Sequence, residues 1–230
     1  MKEKTPVNSK KYKVHLILEG NEETCLFDII KKYGVHETID LTYKNSGGAG
    51  TVAAYYQSEL NNDAYDCNLC VYDVDYRQDE DNSPFNHIQE QLLLILGSQE
   101  AVDKISYCTN PNILQMLLLG CDIISNVKLM SGSKKDNTEI VHKYWDEIGR
   151  QKDNNRTKCY DATEWQLRII SNSFEYGPYS YETLYSNSAF ISTNYLTFEP
   201  GSNLYDLLKA LKEGDIDYFR KINDFISNYD

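Results

Sequence analysis

Residues 12–33 read YKVHLILEGNEETCLFDIIKKY, and their reading decides the fold. Residues 12–18 alternate and then run apolar, as a buried strand does. Glu19-Gly20-Asn21 breaks that strand. Residues 22–33 then carry Leu26, Phe27, Ile29, Ile30 and Tyr33 at helical spacing. Acids in the first turn and lysines in the last suit the helix dipole, and Gly34 predicts the end of the helix.

The same alternation continues downstream. Residues 37–43 (ETIDLTY) predict a second strand and residues 51–61 (TVAAYYQSELN) a second helix. Residues 67–72 (CNLCVY) predict a third buried strand, which ends in Asp73-Val74-Asp75. Ser83-Pro84 marks a helix start, with Ser as cap and Pro in the first turn; that helix is expected to stop at Gly97. Residues 104–108 (KISYC) predict a fourth strand, Thr109-Asn110-Pro111 a turn, and residues 112–120 a further helix. Regular β-α alternation predicts a Rossmann-like, mostly parallel sheet flanked by helices. After Gly120 the pattern changes, with helices expected over residues 138–149, 161–174 and 203–228. The expected organisation is an α/β domain over residues 12–120. Residues 121–230 are expected to form a helical, Tyr-rich elaboration packed on it.

Hydrophobic residues make up 41% of the 230, enough for a proper core. A net charge of −12 does not draw in nucleic acid by its overall field. Action on nucleic acid would therefore need bound metal, a local basic patch or a partner. No stretch approaches the roughly 20 apolar residues that cross a bilayer. The run Val14 to Leu18 is too short for a secretion signal core. The chain is expected to be cytoplasmic, with its six Cys as reduced thiols. Cys67 and Cys70 form one CxxC with no second pair, and read as buried strand cysteines rather than zinc ligands.

Function in an open parallel sheet gathers at the carboxyl ends of its strands. Glu19 terminates the first strand there, and Asp73 and Asp75 terminate the third. Strand alternation points Asp73 and Asp75 to one side and Val74 to the other. Two carboxylates facing the same way are most easily explained by a cation between them. Mg²⁺ or Mn²⁺ suits such oxygen ligands and leaves positions for water and phosphate. Glu19 is either a further ligand or a general base. Taken singly, a strand-end Asp-x-Asp or Glu-Gly is more often a solvated turn; their joint occurrence on strands one and three carries the expectation. Asp79, Glu80 and Asp81 read as a solvated loop.

A first strand ending in Glu-Gly and a later strand ending in Asp-x-Asp resemble the Toprim domain. The closer resemblance is to the RloB-like Toprim proteins of bacterial and phage-defence loci. Leu18-Glu19-Gly20-Asn21-Glu22-Glu23-Thr24-Cys25-Leu26-Phe27 resembles their Glu-Gly-x-x-Glu-x-x-x-Phe opening, with Glu23 and Phe27 in register. Thr109-Asn110-Pro111 is similar to their Ser-Asn-Pro turn. The resemblance covers about residues 12–120. It implies magnesium held by Asp73 and Asp75, with Glu19 as acid/base or ligand and Glu23 beside them. It also implies a nuclease of anti-phage defence, of the abortive-infection kind. The family's next helix carries an acid, a Trp and often a His, where this chain has Leu114, Met116 and Gly120. The PARIS effector, a Toprim nuclease held by an ATPase, is a second relative by resemblance and implies an ATPase or other defence-system partner.

Gly47-Gly48-Ala49-Gly50 precedes a helix but lacks the lysine and spacing of a P-loop, so it reads as a flexible loop with Gly48 kept as a phosphate contact. Lys134 and Lys135, with the basic run Arg150 to Lys158, are candidates to meet a nucleic-acid backbone or stabilise a leaving group, although a charge run is usually only a solvated face. His15 reads as structural. The leading expectation is a Mg²⁺- or Mn²⁺-dependent nuclease acting on RNA or DNA, with a homo-oligomer allowed. The alternative is a non-catalytic subunit of a defence complex that binds metal or a nucleotide. The chain is too small for strand passage or primer synthesis.

Overall fold

The computed structural model describes residues 10–74, 83–110, 113, 116–117, 119–120, 164–177, 179–191, 193 and 201–228. Four parallel strands form the sheet: β1 (Tyr12–Leu18), β2 (Ile39–Asn45), β3 (Cys67–Asp73) and β4 (Ser106–Asn110). A two-residue strand, β5 (Gly201–Ser202), runs antiparallel to β4 at one edge. The order is β2-β1-β3-β4-β5. Leu16 and Leu18 lie in register with Tyr43 and Asn45 of β2, and with Leu69 and Val71 of β3.

The helices follow from that order. The chain steps outward from β1 to β2 and then back past β1 to β3. Right-handed crossovers therefore put α1 (Asn21–Tyr33) and α2 (Ala49–Glu59) on opposite faces. α3 (Pro84–Leu96) shares the α2 face, where Tyr72 meets Phe85 at 5.9 Å and its hydroxyl donates to Ser106 Oγ at 2.8 Å. The other layer is completed by α5 (Glu164–Tyr176), α6 (Tyr181–Ser188), α7 (Leu204–Glu213) and α8 (Ile216–Ser227). Phe219 of α8 stacks near Tyr12 at 6.2 Å, and the hydroxyls of Tyr218 and Tyr107 meet at 2.5 Å. Cys25 of α1 lies 3.3 Å from Ser171 Oγ of α5. Gly34, the C-cap of α1, is required by packing. A β-carbon there would sit 2.1 Å from Tyr181 Cζ.

The four sheet strands stand where expected, with two corrections of register and three additional elements. β2 begins at Ile39, two residues late, and runs to Asn45. Lys104 and Ile105 are not strand; they close a short helix, α4 (Gln99–Ile105), so β4 begins at Ser106. Residues 203–228 are two helices. Gly214, at φ +69°, caps α7, and Asp215 Oδ1 accepts from Tyr218 N at 3.0 Å to start α8. α6 and β5 join the expected elements. The predicted start of α3 is present as read: Ser83 Oγ accepts from Asn86 N at 3.1 Å, with Pro84 in the first turn. Residues 138–149 and 150–158 lie outside the described residues, as do Leu114, Lys134 and Lys135. No helix among the described residues is long and apolar enough to cross a membrane.

Cys67 and Cys70 are buried in β3 as free thiols, as the strand reading expects. Burial pushes the Cys67 thiol up to about 12 and the Cys70 thiol higher still. His15 is buried in the sheet: Nδ1 lies 2.8 Å from Thr42 Oγ1, and the ring stacks on Tyr65 at 4.0 Å.

Candidate acidic cleft at the strand ends

β1 is flanked by β2 on one side and β3 on the other, and the chain reverses its direction across the sheet between them. Open α/β sheets form a ligand crevice at such a switch point, outside the carboxyl ends of the strands. Here that crevice is an open cleft of about 300 Å³, lined by Glu19, Gly20, Asn21, Glu22, Glu23, Asn45, Gly47, Gly48 and Asp73.

Glu19 continues the β1–β3 ladder for one residue, because its N–H donates to Val71 O at 3.0 Å. Its side chain then turns across the strand ends. Glu19 Oε2 accepts from the backbone N–H of Asp73 at 2.9 Å. Asp73 Oδ1 in turn accepts from Ile113 N at 2.8 Å, while Val74 N donates to Thr109 O at 3.0 Å. The two acids are thus fixed by backbone donors from neighbouring chain ends.

Glu23 lies one turn into α1. Its Oε2 accepts from the N–H of Gly20, the residue that caps the helix, at 2.8 Å. Sequence places Glu23 in a first turn that favours acids, but its burial is a property of the fold: only 3% of it is exposed. Burial first, and the Glu19 carboxylate second, push its pKa up to about 8.

The glycine run is a structured turn, not the flexible loop expected of it. Gly47 and Gly48 adopt φ of +81° and +136°, which side chains disfavour. Gly48 caps α2, and Ala49 and Gly50 already belong to the helix. Gly48 N donates to Glu19 O at 2.7 Å, so the turn is tied to the acid directly. Asn45 Oδ1 accepts from Gly47 N at 2.8 Å, and its amide donates to Asn21 Oδ1 at 3.0 Å and Thr24 Oγ1 at 3.2 Å. The starts of α1 and α2 both open on the cleft, which adds positive partial charge opposite the carboxylates.

The fold therefore brings Glu19, Glu23, Asp73 and Gly48 together. Asp75, Lys134 and Lys135 lie outside the described residues. Among the described residues, no three His, Cys, Asp or Glu side chains are gathered closely enough to hold a metal ion. Sequence reading missed Asn45 and Ser46. Their signal was a polar pair at a strand end directly before glycines. No protein-family model, curated protein or solved structure matches the chain.

Proposed function

We propose that this cleft binds a divalent metal, Mg²⁺ or Mn²⁺, and cleaves a phosphodiester bond of RNA or DNA. The observation that carries the proposal is the link between Glu19 and Asp73 at the β1/β3 switch point, a 2.9 Å bond from the Asp73 N–H to Glu19 Oε2. The side-chain donors facing the cleft are oxygens and amides, a set that suits hard cations rather than zinc. Glu19 and Asp73, with Asp75, would hold the ion, and Glu23 stands behind Glu19 rather than in the same ligand set. Such an ion supplies charge at a phosphoryl oxygen and a more acidic water. Glu19 would either accept a proton as general base or join the ligand set. The N-terminus of α2 at Gly48 faces the same space and favours an anionic group there. A Toprim-type identity, RloB-like, belongs to this reading, as do a role in anti-phage defence and an ATPase partner; the Glu-Gly and Asp-x-Asp strand ends support it.

One observation favours a second reading. Among the described residues, the cleft lining carries four acids and no basic side chain. A phosphate chain has little to hold it there without metal. In that reading the cleft binds a metal or a nucleotide signal for a partner protein, without turnover.

The test is cleavage of labelled tRNA, single-stranded RNA and DNA with Mg²⁺ or Mn²⁺, comparing the natural protein with Asp73→Ala. Metal-dependent cleavage lost in the variant is expected. Metal binding without cleavage supports the second reading instead. Neither binding nor cleavage overturns both.

A further inference from the structure

We infer that Ser46 is a positioning residue of the candidate centre, its hydroxyl locking Glu19 to the start of α2; this rests on the metal-site reading of Glu19. Ser46 lies where three elements meet, and it is buried, with 7% exposure. Its N–H donates to Leu18 O at 2.8 Å, which extends the pairing of β1 and β2 by one residue. Its Oγ lies 3.1 Å from Glu19 O and 3.1 Å from Gly48 O. Its carbonyl accepts from Thr51 Oγ1, in the first turn of α2, at 2.6 Å.

The carbonyl of Glu19 therefore accepts from the Gly48 N–H and from the Ser46 hydroxyl, whose single proton is shared with the Gly48 carbonyl. Glu19 has left the regular strand, so those donors set where its main chain ends up. The main chain in turn sets where the carboxylate reaches Asp73 N. Ser46 itself does not line the cleft. It acts on Glu19 without meeting a ligand.

A Ser46 that merely stapled the turn would matter to stability alone. A positioning Ser46 matters to the affinity of the folded protein for metal, because outer partners that orient ligands tune that affinity. The experiment is a calorimetric Mn²⁺ titration of the full chain as the natural protein, Ser46→Ala and Ser46→Thr. Folding of each is checked by circular dichroism. Ser46→Ala is expected to bind Mn²⁺ about tenfold more weakly. Ser46→Thr, which keeps the hydroxyl, is expected to restore most of the affinity. Equal affinity of Ser46→Ala and the natural protein overturns the role of Ser46 and leaves the metal site standing. No Mn²⁺ binding by the natural protein overturns the metal site, and the inference with it. If Ser46→Ala does not fold, Ser46→Cys decides in its place, since it keeps the volume and weakens the donor. Weaker binding then supports the role, and equal binding overturns it.

Discussion

The two ends of the sheet carry recesses of opposite character. At the carboxyl ends, about 300 Å³ is lined by Glu19, Glu22, Glu23 and Asp73. At the amino ends, a larger recess of about 620 Å³ is lined by Tyr12, Tyr65, Asp63, Asp66, Arg220 and Asp224, among others. Both are rich in acids. In the larger recess Asp63 and Asp224 are exposed, and Arg220 lies over the Tyr12 ring at 5.9 Å. Asp66 accepts from Lys13 N at 2.7 Å as part of the strand edge. Exposure to solvent meets the charge there. At the smaller cleft Glu23 is buried near the Glu19 carboxylate, and among the described residues no basic side chain lines the space. Neither volume nor acid count separates the two ends. What separates them is a buried carboxyl whose proton is held by burial and by a second carboxylate nearby.

The contrast breaks first on cleavage. Glu19→Gln should lower metal-dependent cleavage by more than the roughly 10- to 100-fold typical of outer-shell changes. Asp224→Asn, at the other end, should leave it unchanged. Rates for both variants on the same labelled RNA check this, and equal losses would remove the distinction between the two ends. Leu16→Ala, at a fully buried position of the strand between them, should cost about 2–5 kcal/mol of stability by urea unfolding. Its folded fraction should keep the natural metal affinity, which separates the scaffold from the site.

Glu23 sharpens the comparison through pH. Its pKa in the folded protein is raised from 4.5 to about 8, so the folded state holds that proton more tightly than the unfolded state. Its contribution to stability is complete below pH 4.5 and is lost as pH rises through about 8. In EDTA, the urea midpoint should therefore fall across that window, by an amount on the order of a few kcal/mol in free energy. Glu23→Gln should flatten the fall. The smallest effect is expected from Arg220→Ala, which removes a stacked cation from Tyr12 and should cost about 0.5–1 kcal/mol, with no change in Mn²⁺ binding. A change in Mn²⁺ binding would show that the two ends communicate.

Much of this was legible in the residues. Strong apolar runs made β1 and β3 plain, and Ser83-Pro84 with Gly97 marked both ends of α3. The misses share a cause: where few residues form an element, local pattern is too short to tell. α4 has seven residues and leads directly into β4, so Lys104-Ile105 looked like strand. β5 has two residues and exists only because Thr109 and Asn110 offer it a partner. Gly214-Asp215 did carry a cap signal, hidden inside a continuous amphipathic stretch. The glycine run looked flexible because glycine permits many conformations, and what orders it is contact with the adjacent Asn45 and with Glu19, far away in the chain.

Sequence by itself determined that acids stand at the ends of two apolar strands and that those strands alternate with helices, because side-chain periodicity is local. Only the tertiary structure decided that β1 and β3 are neighbours, since strand order comes from packing and crossover handedness. That adjacency turns Glu19 and Asp73 into one site. It also buries Glu23 beside Glu19 and seats Ser46 beneath them, because burial belongs to the assembled layers and to no single segment.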